Sequence, residues 1–253
     1  MNQWAVIWSV RDSFIAGLLA TLELFITAAI AGLIIGVVLC YLSEYQKKTL
    51  NRLIIAFVSL MRAIPFLILA YLLYYGLPQV GISMEPWTAG LIALIIYHGA
   101  YFFEILRSQR RVFSGGYIEA AVAQGFSRYK IFRRIILPNI LSSALPLMGN
   151  QLIICLKDTA FLSIITVQEI TAAANSVQAT YFIPFNAFIV AIGLYWAISI
   201  LLELLIKRLS AWGVRRGMIM SDTTAVSVKN VSKQFDNVEV LRDINLTVEK
   251  GTV

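Results

Sequence analysis

The chain has 253 residues, 59% of them hydrophobic and only 14% charged, with a mean hydropathy of +0.77. Soluble domains carry roughly 45–50% apolar residues, so a purely soluble chain is excluded. The formal charge of +7 is unevenly divided: residues 1–218 hold 17 Lys and Arg against 9 Asp and Glu, whereas residues 219–253 hold 4 against 5. The basicity therefore belongs to the apolar part, and no nucleic-acid partner is expected.

The first apolar run, 14–42, has Glu23 as its single ionisable side chain and lacks both a basic leader and a small-residue cleavage site. It reads as a retained span and not as a signal peptide. Runs 53–77, 88–106, 140–170 and 185–206 complete five candidate spans, each above the ~18 residues that mark a bilayer crossing.

Lys47, Lys48 and Arg52 follow the first span; Arg107, Arg110, Arg111, Arg128, Lys130, Arg133 and Arg134 follow the third; Lys207, Arg208, Arg215 and Arg216 follow the fifth. Segments 78–87 and 171–184 contain no Lys or Arg. The positive-inside rule puts the basic segments in the cytoplasm, hence the N-terminus outside and the C-terminus inside. Taken singly, these cations also suit anionic lipid head groups. Cys40 and Cys155 sit alone in apolar stretches and His98 is the sole histidine, so neither a disulfide framework nor a metal centre is expected.

The fourth region is interrupted by Lys157-Asp158-Thr159. One reading is a kinked or re-entrant element beside a water-filled path, since irregular backbone survives at membrane depth only there or inside protein. The other is that Asp158 caps the following helix while Lys157 snorkels to the head groups.

Between the third and fourth spans the chain reads Glu119-Ala120-Ala121, three residues, Gly125, nine residues, Ile135, one residue, Leu137-Pro138. This describes a short helix with small residues, a glycine that ends it, Ser127 as a cap, and a second amphipathic helix stopped before Pro138. By composition alone it also fits an interfacial helix on the bilayer surface. The whole spacing, however, resembles the EAA loop of permease subunits in bacterial ATP-binding cassette (ABC) importers.

Flanking sequence is similar to the polar amino acid permeases of that group: Met61-Arg62-Ala63-Ile64-Pro65, Tyr74-Tyr75-Gly76-Leu77-Pro78, Tyr101 to Arg107, Gly149-Asn150-Gln151 and Lys157-Asp158-Thr159. Tyr117 departs from the glutamine that relatives often carry there. The resemblance implies an all-α integral membrane protein of about five transmembrane helices, with Glu119, Ala120, Ala121 and Gly125 in a coupling helix that docks on an ABC ATPase, and Leu137-Pro138 closing the motif. It further implies a second permease subunit, an external solute-binding protein, a location in the bacterial inner membrane, and alternating access driven by ATP and Mg used by the partner. This chain itself is expected to bind no cofactor.

Beyond residue 218 the pattern changes to near-alternation: Val226, Val228 and Val231; Val238 to Leu241 after an Asp236-Asn237 turn signal; and Ile244, Leu246 and Val248. Three short strands are predicted. This β fragment, 219–253, resembles the opening of an ABC ATPase domain, in which Phe235 would match the residue that stacks on adenine; a core-facing aromatic is the other reading. No G-x-x-x-x-G-K-[ST] sequence occurs, so ATP hydrolysis is expected on a partner or on a continuation of the chain.

Ionisable residues within spans usually face a cavity or a partner, which singles out Glu23, Arg62, Glu104, Lys157, Asp158 and Glu169. An amino acid presents an ammonium and a carboxylate, so Glu104 or Asp158 is expected to receive the first and Arg62 or Lys157 the second. Arg107 and Glu203 lie near predicted cytoplasmic boundaries, where ordinary solvation accounts for them. No nucleophile–base pair can be assembled, so no catalytic residue is expected. A helical channel or receptor without an ATPase is the alternative, which the spacing from Glu119 to Pro138 disfavours.

Overall fold

Two kinds of structure follow one another in the computed structural model, which describes residues 2–215, 224–235 and 238–249: a helical bundle and then a two-stranded hairpin. The bundle opens with α1 (Gln3–Ser9) and the long α2 (Arg11–Tyr45). At 35 residues α2 is about 52 Å long, well beyond the ~30 Å hydrocarbon core, so it overshoots the predicted 14–42 and stands clear of the apolar zone.

The buried positions of α2 include Thr21, Ala28, Gly32, Gly36 and Cys40, a stripe of mostly small residues that lets α5 (Pro86–Val112) approach backbone to backbone. A Cβ on Gly36 would stand 2.9 Å from Phe102 Cβ and from Phe103 N, and one on Gly32 would stand 3.3 Å from Gly99 N. In lipid, where apolar transfer supplies little drive, such close van der Waals contact is what joins helices.

The second predicted span, 53–77, is not one helix. α3 (Lys48–Ala63) and α4 (Phe66–Tyr71) meet at Ile64-Pro65, and the broken pair bends by 103°. Pro65 has no N–H for the ladder and drives Ile64 into extended backbone (φ −86°, ψ 134°). A π turn (Leu72–Gly76) and a 3-10 turn (Leu77–Val80) then lead to α5.

After α6 (Gly115–Ala123) and α7 (Arg128–Ile131) the chain stays helical through a π turn, Phe132–Ile136, into α8 (Leu137–Asp158). The expected stop before Pro138 does not occur. Widening the helix by one residue accommodates the proline that cannot donate to its preceding turn, and Asn139 Nδ2 donates to Ile135 O at 2.6 Å, satisfying a carbonyl there.

Residues 157–159 do mark a change in the fourth region, though the chain stays helical through it. α8 runs to Asp158 and tightens into a 3-10 turn, Thr159–Ile165, because Lys157 and Asp158 each have a face to occupy. The chain reverses later, at Thr166 (φ 69°), and the cap expected of Asp158 is made by Glu169. Glu169 Oε1 accepts from Ala172 N at 2.7 Å and Oε2 from Thr171 N at 2.8 Å, opening α9 (Ile170–Tyr181). The 32-residue α10 (Pro184–Arg215) completes the bundle.

Four helical runs among the described residues are long and apolar enough to cross a membrane, and the bent α3–α4 pair makes a fifth, matching the five expected. The core gathers Phe102, Phe103, Leu24, Leu94, Leu106, Ile136, Ile140, Leu156 and Leu162, all fully buried. Two strands stand where three are predicted: β1 (Thr224–Phe235) pairs antiparallel with β2 (Val238–Glu249). Asp243 takes a left-handed φ of 47° and donates its N–H to Ser232 Oγ, so the apparent break before Ile244 is an irregularity inside one strand. The Asp236-Asn237 turn signal and the side chain of Phe235 lie outside the described residues, as does the boundary at residue 218.

Candidate functional site

At one end of the bundle the Glu119 to Pro138 segment forms a helix–turn–helix. α6 ends in a Schellman turn: Phe126 N donates to Ala121 O at 3.0 Å and Gly125 N to Val122 O at 2.9 Å, with Gly125 at φ +76°. Ser127 Oγ accepts from Lys130 N at 3.5 Å as the cap of α7. Ala121 is buried, while Glu119, Ala120, Val122, Tyr117, Phe126 and Tyr129 are exposed. Six residues within one short turn region thus face outward with mixed apolar and acidic character. Leu137 is half-buried and Pro138 exposed at the start of α8.

Two aromatic contacts tie this loop to the spans. Phe113, just beyond α5, stacks on Tyr117 of α6 at 5.7 Å and 28°. Phe132 meets Tyr41 at 5.1 Å and Tyr45 at 6.3 Å, while Tyr129 meets Tyr41 at 6.3 Å, attaching the loop to the end of α2. Arg110 of α5 pairs with Glu44 of α2 at the same level.

The second constellation runs along α5. Tyr97, Tyr101 and Glu104 share a helical face by their spacing. The Tyr97 and Tyr101 hydroxyls stand 3.4 Å apart, and the guanidinium of Arg62, at the end of α3, lies 5.5 Å over the Tyr101 ring. Glu104 Oε2 accepts from Arg107 Nη1 at 2.8 Å and stands 3.9 Å from Arg62 Nη1. Arg107 is therefore engaged inside the bundle and is not merely solvated. Glu203 does behave as a surface residue, exposed beside Lys207.

Asp158 differs from Glu104. It is 9% exposed, and His98 Nε2 stands 3.4 Å from its Oδ2. His98 is fully buried, and Gln151 Nε2 lies 2.8 Å from its Nδ1. Phe66 packs over this group, 5.4 Å from Tyr97, 6.2 Å from His98 and 6.4 Å from Phe161. The bend at Pro65 is what carries Phe66 there.

Of the four residues expected on the pathway, the structure brings Arg62 of α3 and Glu104 of α5 together and sets Asp158, on α8, beside His98 of α5. Lys157 is not among them: one position on from Leu156, it is exposed toward a groove of about 360 Å³ with Ala160, Ile192, Tyr195, Trp196 and Ser199. Glu23 is exposed on the outer side of α2, and Glu169 is consumed as a cap, also accepting from Tyr195 Oη at 2.6 Å. His98 is the residue that sequence reading missed. Its signal was the seven-residue separation of Gln151 and Asp158, two turns on one face of α8 that calls for a polar partner.

The family described as the binding-protein-dependent transport system inner membrane component matches residues 28–212. The chain belongs to this family. Curated relatives include the glutamine transport system permease of Escherichia coli (strain K12), 29% identical over 81% of this chain and 95% of the relative. The histidine/lysine/arginine/ornithine permease of the same strain is 32% identical over 79% and 94%, and the nopaline permease of Agrobacterium fabrum is 32% identical over 77% and 87%.

Among solved structures, an amino acid ABC transporter crystallised with histidines superposes with a TM-score of 0.74 at 27% identity, covering 81% of this chain and 96% of that one. An inward-facing methionine ABC transporter shares the fold with a TM-score of 0.66 at 19% identity. The chain is thus a permease component of an ABC importer, sited in a membrane and working with an ATPase.

Proposed function

We propose that this permease carries a polar amino acid, or an opine-like derivative, through a path lined by Arg62, Tyr101, Tyr97 and Asp158. The observation that carries the reading is the unequal treatment of the two carboxylates. Glu104 already faces two guanidinium groups and has little charge left to offer, whereas the basic group nearest Asp158 among the described residues is the His98 imidazole, 3.4 Å away. A substrate ammonium is then received by Asp158. Arg62, 42% exposed and at 3.9 Å only loosely held by Glu104, takes the carboxylate. This replaces the broader set that included Glu104 and Lys157. The names of the relatives support the substrate class.

The exposed, internally capped α6 supports a docking role for Glu119, Ala120, Ala121 and Gly125 in a groove of the ATPase subunit or domain, where ATP and Mg are used. A second permease half, an external solute-binding protein, an outside N-terminus and a cytoplasmic C-terminus belong to the same reading. So does the division into a permease domain, 1–218, and the opening strands of an ATPase domain, 219–253, with Phe235 as a candidate adenine-stacking residue.

The test is reconstitution of the complex in proteoliposomes with radiolabelled L-glutamine, L-histidine, L-arginine and nopaline. ATP-dependent uptake of one of them, with KM raised in Asp158→Asn, is the expected result. Uptake of none, or an unchanged KM in both Asp158→Asn and Arg62→Gln, overturns the assignment.

A further inference from the structure

The assigned path leaves unexplained why a fully buried histidine sits behind Asp158. His98 Nδ1 lies 2.8 Å from the amide nitrogen of Gln151, which donates to it. With the Gln151 amide in this orientation Nδ1 accepts, which places the ring N–H on Nε2. That N–H is buried and makes no hydrogen bond among the described residues at ordinary geometry, and the acceptor nearest it is Asp158 Oδ2, 3.4 Å from Nε2. An orphaned buried donor is costly, and here the adjacent acceptor is the carboxylate itself.

We propose that His98 is a positioning residue for substrate recognition. Its neutral Nε2–H holds Oδ2 of Asp158, fixing the carboxylate while leaving its negative charge uncancelled for the substrate ammonium. A lysine or arginine at this place would fix the carboxylate equally well but neutralise it. Gln151 sets the arrangement by occupying Nδ1, and Phe66 and Tyr97 close over the ring and hold its plane. The three polar residues come from α5 and α8, so the bond also registers one helix against the other at the depth of the path. This rests on the assignment of Asp158 as the ammonium acceptor.

The two ends of the imidazole can be imitated separately: the amide of Gln reaches the Nε2 position, that of Asn only the Nδ1 position. KM is measured in proteoliposomes for the radiolabelled amino acid that the wild-type complex carries, with co-purification of the ATPase as the check on assembly. His98→Asn is expected to raise KM about tenfold, as for the loss of one hydrogen bond to a charged group, while His98→Gln restores it to near the wild-type value. In the double variant with Asp158→Asn, KM is expected to match that of Asp158→Asn alone to within about twofold, since the two residues act through one contact.

If Asp158→Asn leaves KM unchanged, the ammonium assignment fails. If Asp158→Asn raises KM while His98→Asn does not, or the two effects multiply, the positioning role is overturned and the assignment stands. Should His98→Asn not assemble, Gln151→Leu, which frees the ring from its orienting donor, is expected to give the same rise in KM, and an unchanged KM there overturns the proposal.

Discussion

Replacing Gly125 with alanine isolates a single cost. Its φ of +76° is in the left-handed region, and a Cβ built there meets nothing within 4 Å. Crowding therefore adds nothing, and the penalty is that of the backbone alone, about 1–2 kcal/mol for an L residue. Such a penalty moves the balance between the formed and broken turn about 5–30-fold toward the broken one. Breaking the turn frees the carbonyls of Ala121 and Val122 and changes the angle between α6 and α7, so α6 no longer presents its docking face with the α7 side of the loop in register.

The readout is the number of amino acid molecules imported per ATP hydrolysed by the reconstituted complex. Gly125→Ala is expected to lower this ratio by up to the same factor, and Gly125→Val by more, because a β-branched residue tolerates positive φ least. Gly125→Asn, whose side chain suits this conformation, is expected to keep most of the coupling. A wild-type ratio in Gly125→Val, with the complex intact, would refute the claim that this turn geometry couples the two activities.

Gly36→Leu is expected to lower the thermal midpoint of the detergent-solubilised protein, since its Cβ would meet Phe102 Cβ and Phe103 N at 2.9 Å and the overpacking costs about 1–3 kcal/mol; an unchanged melting curve would contradict the tight α2–α5 seam. Glu169→Ala removes the cap from two α9 amides and the acceptor of Tyr195, so a loss of about 1–2 kcal/mol is expected in the same assay. Tyr117→Ala removes the stack on Phe113, worth about 0.5–1.5 kcal/mol, and is expected to reduce coupling with little effect on the thermal midpoint of the bundle; equal coupling in the two proteins would count against a role for this contact.

The five apolar helical runs, and the family to which the 119–138 spacing points, were legible because long apolar runs and a rare residue pattern leave little freedom. The bend at Pro65 was also written in the sequence, yet an apolar run continuing on both sides of it concealed the break. At residues 157–159 the charged pair marked the end of the α-helix, but not its continuation as a 3-10 turn nor the different faces that helical geometry gives the two side chains, one toward a groove beside α10 and one toward His98. His98 itself was read only as too solitary for a metal site. Its role depends on Gln151 and Asp158, more than fifty residues away in the chain, and only packing of α5 on α8 discloses it. The hairpin was overdivided because local alternation cannot tell a strand end from an irregularity such as that at Asp243.

Where Gly32, Gly36 and Gly99 meet, each glycine lies directly against the backbone or a side chain of the facing helix, Ile35 and Phe102 among them, so little slack is left between α2 and α5 to absorb a displacement. The pair forms one stiff beam, about 40 Å along α5, with the 119–138 loop attached to one end through Phe113, Tyr41 and Phe132. A beam that tilts about its middle moves its two ends in opposite directions. For a permease built on such a beam, one rotation would join opening on one side of the membrane to closure on the other, in place of two gates that would each need its own timing.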